Sequence, residues 1–291
     1  MKTKQSGSDE ILLGSHMSTA GGVPKAVDRG ESIGCTAMQI FVKGNTRWAF
    51  PPLKPEDAKL FRERMKNSPI KSCIAHTIYL VNLGSANPEL RQKSIDDMVD
   101  ELTRCDALGV TGLVMHPGAH GGDGPDAGIA RIASALDEIF AATPKGECQI
   151  LLETTAGQGT AIGAQFEEIA AIIKQTKARK RLGVCLDTCH VFSAGYELRT
   201  KDGYEKTWSD FDRIIGLDQL KAIHVNDSKK PFASRKDRHE HIGKGEIGLE
   251  AFRMLMNDRN LRGIPMVLET DKGDDMAEDV ENMAVLRSLI K

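Results

Sequence analysis

A chain of 291 residues with 40% hydrophobic and 27% charged side chains has the make-up of a soluble folded protein with a substantial core. No apolar run approaches the ~18 residues that a membrane span needs, and the opening MKTKQSGSDE lacks the apolar stretch of a secretory signal. A formal net charge of −2 excludes a simple basic DNA-binding module, and six cysteines without a CxxC pair point to reduced thiols and a cytoplasmic setting.

Residues 1–10 read as a flexible N-terminal tail and 11–291 as a single domain. From there one pattern repeats along the chain. Short apolar segments of strand character are LLGSHM (12–17), AMQIFV (37–42), SCIAHT (72–77) and GLVMHPG (112–118), followed by ILLETT (150–155), LGVCLD (182–187), KAIHVND (221–227) and MVLETD (266–271). Helical spacing fills the intervals. In 87–108, Leu90, Ile95, Met98, Val99, Leu102, Cys105 and Leu108 mark one apolar stripe, with Asn87-Pro88 as cap and first turn and Gly109 as stop. Apolar strands separated by helices imply a parallel sheet buried on both faces. Eight such units predict an α/β fold, a single (β/α)8 TIM barrel, with a doubly wound open sheet as the competing arrangement.

The metal-capable side chains fall where strands end. His76 ends the third segment and His116 the fourth; Glu153 ends the fifth, Asp187 and His190 the sixth; His224 lies near the end of the seventh and Glu269 closes the eighth. A lone histidine at a strand end is more often hydrogen-bonded structure than a ligand. Seven such residues on six consecutive strands of a barrel converge on one rim, and grouping their charges there is costly without a compensating cation. The long connection 228–248 adds Asp237 and His239, two apart in a basic stretch. Imidazoles mixed with carboxylates suit zinc, with manganese or iron open. Gly243 to Gly248 spells GxGxxG, but the DRHEH before it is no buried strand, so the context for dinucleotide binding is missing and a turn feeding a helix is expected.

These segments resemble the endonuclease IV family of apurinic/apyrimidinic endonucleases. The matching stretches are GSHMSTAGG (14–22), HTIYLVNLG (76–84), HPG (116–118), ETTAGQG (153–159), CLDTCHVFSAGY (185–196), HVNDSK (224–229), SRKDRH (234–239) and VLET (267–270), in unbroken order. HPG alone is weak; DTCH, DRH and ETTAGQG in this order are specific. The resemblance implies a metal site at the C-terminal rim of the strands holding three Zn²⁺, one position being open to Mn²⁺. The first takes His76, His116 and Glu153, the last bridging to a second that adds Asp187, His224 and Glu269. The third uses His190, Asp237 and His239. It further implies base-excision repair: hydrolysis of duplex DNA 5′ of abasic sites, leaving a 3′-hydroxyl and a 5′-deoxyribose phosphate, with action on 3′-blocked ends also open. Glu153 and Glu269 are the catalytic candidates. Three divalent ions add +6 to −2, giving about +4 by charge count, which answers the charge objection. Tyr79 matches a residue that the family inserts into the duplex, and the basic loop offers Lys229 and Arg238 for phosphate contact. Arg47 adjoins Trp48, one position out of register with the inserting arginine of some relatives, and is given no role. A monomer without a membrane partner is expected.

Two other functions fit less of this pattern. A sugar isomerase or epimerase of the xylose-isomerase-like barrels arrays similar residues for one or two metals, leaving His190 and the DRH pair surplus. A damage-binding protein with structural metals would hold abasic DNA without cutting it.

Overall fold

Each of the eight apolar runs forms a strand in the computed structural model, which describes residues 10–291. The expected tail lies outside the described residues except for Glu10, whose carbonyl accepts from the Gly263 amide at 3.0 Å. The strands are β1 (Leu12–Met17), β2 (Ala37–Ile40), β3 (Ser72–His76), β4 (Gly112–Met115), β5 (Gln149–Glu153), β6 (Leu182–Asp187), β7 (Leu220–His224) and β8 (Pro265–Leu268). Every neighbouring pair is parallel, and β8 closes on β1, so the sheet is a barrel and not the open alternative. All of the runs but the first and sixth outlast their strands, the fourth, seventh and eighth by three residues each. Beyond Leu268, for instance, the Glu269 amide donates to the side chain of Asn226 instead of to a neighbouring strand.

Nine helices among the described residues wrap the barrel: α1 (Pro24–Ser32), α2 (Pro55–Asn67), α3 (Pro88–Leu108), α4 (Pro125–Ala142), α5 (Phe166–Gln175), α6 (Thr188–Ala194), α7 (Lys201–Ile214), α8 (Leu249–Asn257) and α9 (Ala277–Ser288). The first four open on proline, whose missing amide costs nothing in a first turn. As its sequence predicts, α3 is capped by Asn87, which accepts from the Glu89 and Leu90 amides, and ends at Gly109 with φ 73°. None of the described helices is long and apolar enough to cross a membrane.

Inside the barrel, Ile74, Val114, Leu151, Cys185, Ala222 and Val267, one from each of β3 to β8, pack into a buried layer. Side chains alternate along a strand with period two. The next inward positions towards the strand ends are therefore His76, His116, Glu153, Asp187, His224 and Glu269. An apolar floor thus carries a ring of imidazoles and carboxylates, and the same alternation on β1 and β2 adds His16 and Gln39.

Candidate metal centre

Glu153, fully buried at the end of β5, is the hub of the ring. Its Oε2 lies 3.1 Å from His76 Nε2 and 3.3 Å from His116 Nε2. Its Oε1 lies 2.9 Å from His224 Nδ1 and 3.3 Å from His190 Nδ1. Glu269 reaches His224 Nδ1 from the other side at 3.1 Å. Asp187 is both ring member and helix cap: its Oδ1 accepts from the His190 amide at 2.8 Å, starting α6 and swinging His190 over the mouth. The connection leaving β7 doubles back as a two-residue ladder, Asp227–Ser228 against His239–Glu240. That hairpin presents Asp237 at 3.1 Å from His190 Nε2 and 3.3 Å from His239 Nε2.

All nine sequence-predicted ligand positions thus meet at one rim. Donor atoms close enough to share an ion group as His76, His116 and Glu153; as Glu153, Asp187, His224 and Glu269; and as Asp187, His190 and His239. The last set differs from the expected His190, Asp237 and His239 because Asp187 lies between the ring and the hairpin, its Oδ2 3.5 Å from His239 Nε2. A fourth grouping joins Cys189 to Asp237 and His239. Burial pushes that thiol up to about 12, and its Sγ donates to the Arg238 carbonyl at 3.6 Å, so it keeps its proton.

The histidines are oriented from behind. The Nδ1 atoms of His76 and His190 lie 2.8 Å from the carbonyls of Thr77 and Thr154, and that of His239 lies 3.2 Å from the Glu269 carbonyl, turning each Nε2 towards the carboxylates. The Nε2 atoms of His190 and His239 are buried and make no hydrogen bond, although Asp237 is near both. Lone pairs aimed into a buried space shared with carboxylate oxygens suit a cation, and an oxygen and nitrogen donor set suits zinc. Where no cation compensates, protons must. Burial disfavours charge on His190 and His224, yet the surrounding carboxylates, Asp187 for His190 and Glu269 and Glu153 for His224, raise both well above the usual imidazole range. Burial likewise opposes charge on Glu153 and Glu269, but the imidazoles, led by His224, hold both carboxyls well below the usual range.

The centre lies on the bottom of an open cleft of about 880 Å³ whose walls include Tyr79, Lys229 and Arg238. Tyr79 is 72% exposed and meets Phe41 edge-on at 5.6 Å. Lys229 pairs with Asp271 at 3.1 Å, and Arg238 donates to the Asp237 carbonyl at 2.5 Å. Arg47 is exposed and does not line the cleft. The GxGxxG stretch already has an anion of its own: the Asp227 carboxylate accepts from the amides of Gly243, Gly245 and Ile247 at 2.9–3.1 Å. A Cβ at Gly245 would strike the Ser228 carbonyl. Sequence reasoning missed Gln39 and Asn226. Asn226 donates to Asp187 at 2.7 Å and accepts from the Glu269 amide at 2.8 Å, tying β6 to β8. The period-two spacing from Ala37 would have found Gln39 had amides been counted beside metal-ligating types.

A family model described as a xylose isomerase-like TIM barrel matches residues 27–289. A probable endonuclease 4 from Chloroflexus aurantiacus is 50% identical over 279 residues, covering 96% of this chain and 98% of that one. The crystal structure of endonuclease IV from Thermus thermophilus superposes with a TM-score of 0.85 at 34% identity, over 96% of this chain and 98% of that one. A D-tagatose 3-epimerase-like protein shares the fold at 18% identity and a TM-score of 0.71, over 95% and 96% of the two chains. With the barrel, the ring at its mouth and half of its residues matched over nearly the full length of such relatives, the chain belongs to the endonuclease IV family.

Proposed function

We propose that this enzyme hydrolyses the phosphodiester bond 5′ of abasic sites in duplex DNA at a centre of three zinc ions, leaving a 3′-hydroxyl and a 5′-deoxyribose phosphate. The observation that carries the reading is the convergence of five imidazoles and four carboxylates at the bottom of a cleft walled by an exposed tyrosine and two basic side chains. His76, His116 and Glu153 hold one ion, Glu153, Asp187, His224 and Glu269 a second, and His190, Asp237 and His239 a third, with Asp187 at its edge. Bound divalent ions supply Lewis acidity and lower the pKa of attacking water towards ~7. Glu153 and Glu269 orient that water towards phosphorus, and one of the two takes its proton. Lys229 and Arg238 contact phosphates flanking the lesion, and Tyr79 fills the gap left by the missing base.

The test is a duplex carrying one tetrahydrofuran abasic analogue, which cannot undergo β-elimination, incubated with metal-analysed protein in EDTA without magnesium. A single cut 5′ to the lesion and about three zincs per chain are expected, with Glu153→Ala reducing turnover by about 10²–10⁴-fold, the usual reach of a proton-transferring group. Binding of the duplex without cleavage by fully metallated protein would overturn the catalytic reading, and one or two metals per chain would overturn the three-ion centre.

A further inference from the structure

Six of the eight barrel strands place a metal-capable side chain at their last residue or the one after it, while β1 and β2 bring His16 and Gln39 to the same inward level. We infer that Gln39 is a positioning residue that selects which nitrogen of His224 faces the centre and which oxygen of Glu269 stays free. This rests on the three-ion reading above.

His224 is oriented unlike its neighbours. His76 and His239 each turn Nδ1 towards a backbone carbonyl and face the carboxylates with Nε2, and His190, whose Nδ1 also meets the Thr154 carbonyl, faces Asp237 with Nε2. His224 is reversed: Nδ1 faces Glu153 and Glu269, and Nε2 donates at 2.7 Å to Oε1 of Gln39. Its anchor is thus a side chain, and one substitution can remove it. Gln39 is fully buried and uses its whole amide. Its Nε2 donates to Glu269 Oε1 at 2.5 Å and to His16 Nδ1 at 2.9 Å. Flipping the amide would set its oxygen against the Glu269 carboxylate and its NH2 against His224 Nε2–H, so only this orientation satisfies all three partners. With Oε1 held by Gln39, Glu269 presents Oε2 to the centre, 3.1 Å from His224 Nδ1. One amide therefore aligns ligands from β7 and β8, and His16 fixes the amide.

The experiment compares wild type with Gln39→Met, which keeps the length and loses every hydrogen bond, and Gln39→Ala, which leaves only space. Zinc per chain is measured, then the release of each ion to a chromogenic chelator. Circular dichroism and melting of the metal-stripped proteins report whether the variants fold as wild type does. Both variants are expected to fold and to hold the ion bound by His224 and Glu269 about 10–100-fold more weakly, the usual effect of removing a group that orients a ligand. The remaining ions should leave at wild-type rates. Release at wild-type rates for every ion, or equal acceleration of all, would overturn the role given to Gln39. A wild-type protein without three ions would instead overturn the reading on which it rests.

Discussion

At the scale of single residues, Glu153 has four imidazoles around its two oxygens, and this sets how the metal-stripped protein responds to pH. His190 and His224 sit above their usual value of 6.5, so their contribution to stability is full below that value and is lost as pH rises through the raised one. Glu153 and Glu269 sit below 4.5, so theirs is present above that value and is lost as pH falls through the depressed one. Calorimetry of stripped protein should therefore find its melting temperature highest between about pH 4.5 and 6.5 and falling towards pH 9. The zinc-loaded form should gain relative to it over that upper range, as imidazole protons stop competing with metal. A stripped protein whose melting temperature climbs steadily from pH 6.5 to 9 would contradict this account. Candidate ligands such as His116 and Glu269 were legible because seven metal-capable side chains fall at the ends of six consecutive strand segments, which no single residue would have signalled. Gln39 and Asn226 were not, because an amide means nothing to a metal until its neighbours are placed.

Helix α3 works on both of its faces. The apolar stripe read from its spacing packs on the barrel, but Asp97, Glu101 and Arg104 are buried as well. Lys43, almost wholly buried, pairs with Asp97 at 2.5 Å and Asp100 at 3.3 Å, and Arg104 donates to the Pro51 carbonyl at 2.9 Å, fastening the loop after β2. Glu101 accepts from the Ile78 amide at 3.3 Å, directly before Tyr79. Spacing alone showed where this helix starts and stops, because a cap and a glycine act locally. It did not show the polar face, whose partners lie far along the chain. Glu101→Leu would leave the Ile78 amide buried without a partner, at a cost of about 1–3 kcal/mol, and loosen the segment bearing Tyr79. The expected outcome is roughly tenfold weaker binding of abasic duplex at that cost, with zinc content unchanged. Unaltered affinity, measured by fluorescence anisotropy, would detach Tyr79 from this support.

Taken whole, the chain is weakly acidic, with 39 basic against 41 acidic residues, yet it works on a polyanion. On the reading proposed above, the positive field is local, drawn from bound cations and the basic hairpin. Lys229→Ala and Arg238→Ala should each reduce the slope of log affinity against log salt by about one and weaken damaged and undamaged duplex alike. A slope unchanged in both would remove these side chains from the DNA interface. The eight-unit barrel was legible throughout because apolar runs and their spacing report burial on both faces of a sheet. The hairpin at 227–240 was not, since its fold depends on the Asp227 carboxylate gathering amides from further along the chain.

The packed layer of Ile74, Val114, Leu151, Cys185, Ala222 and Val267 has a further consequence. Among the described residues it closes the barrel beneath the ring, so on the proposed reading ions, water, damaged strand and cut product would share the opening of the cleft above. On the reading proposed above, loading with metal is expected to come before engagement of DNA, and a duplex lying across the mouth would cover the ions beneath it. On that reading the substrate would also be a stopper, shielding the metals from competing chelators for as long as it stays bound.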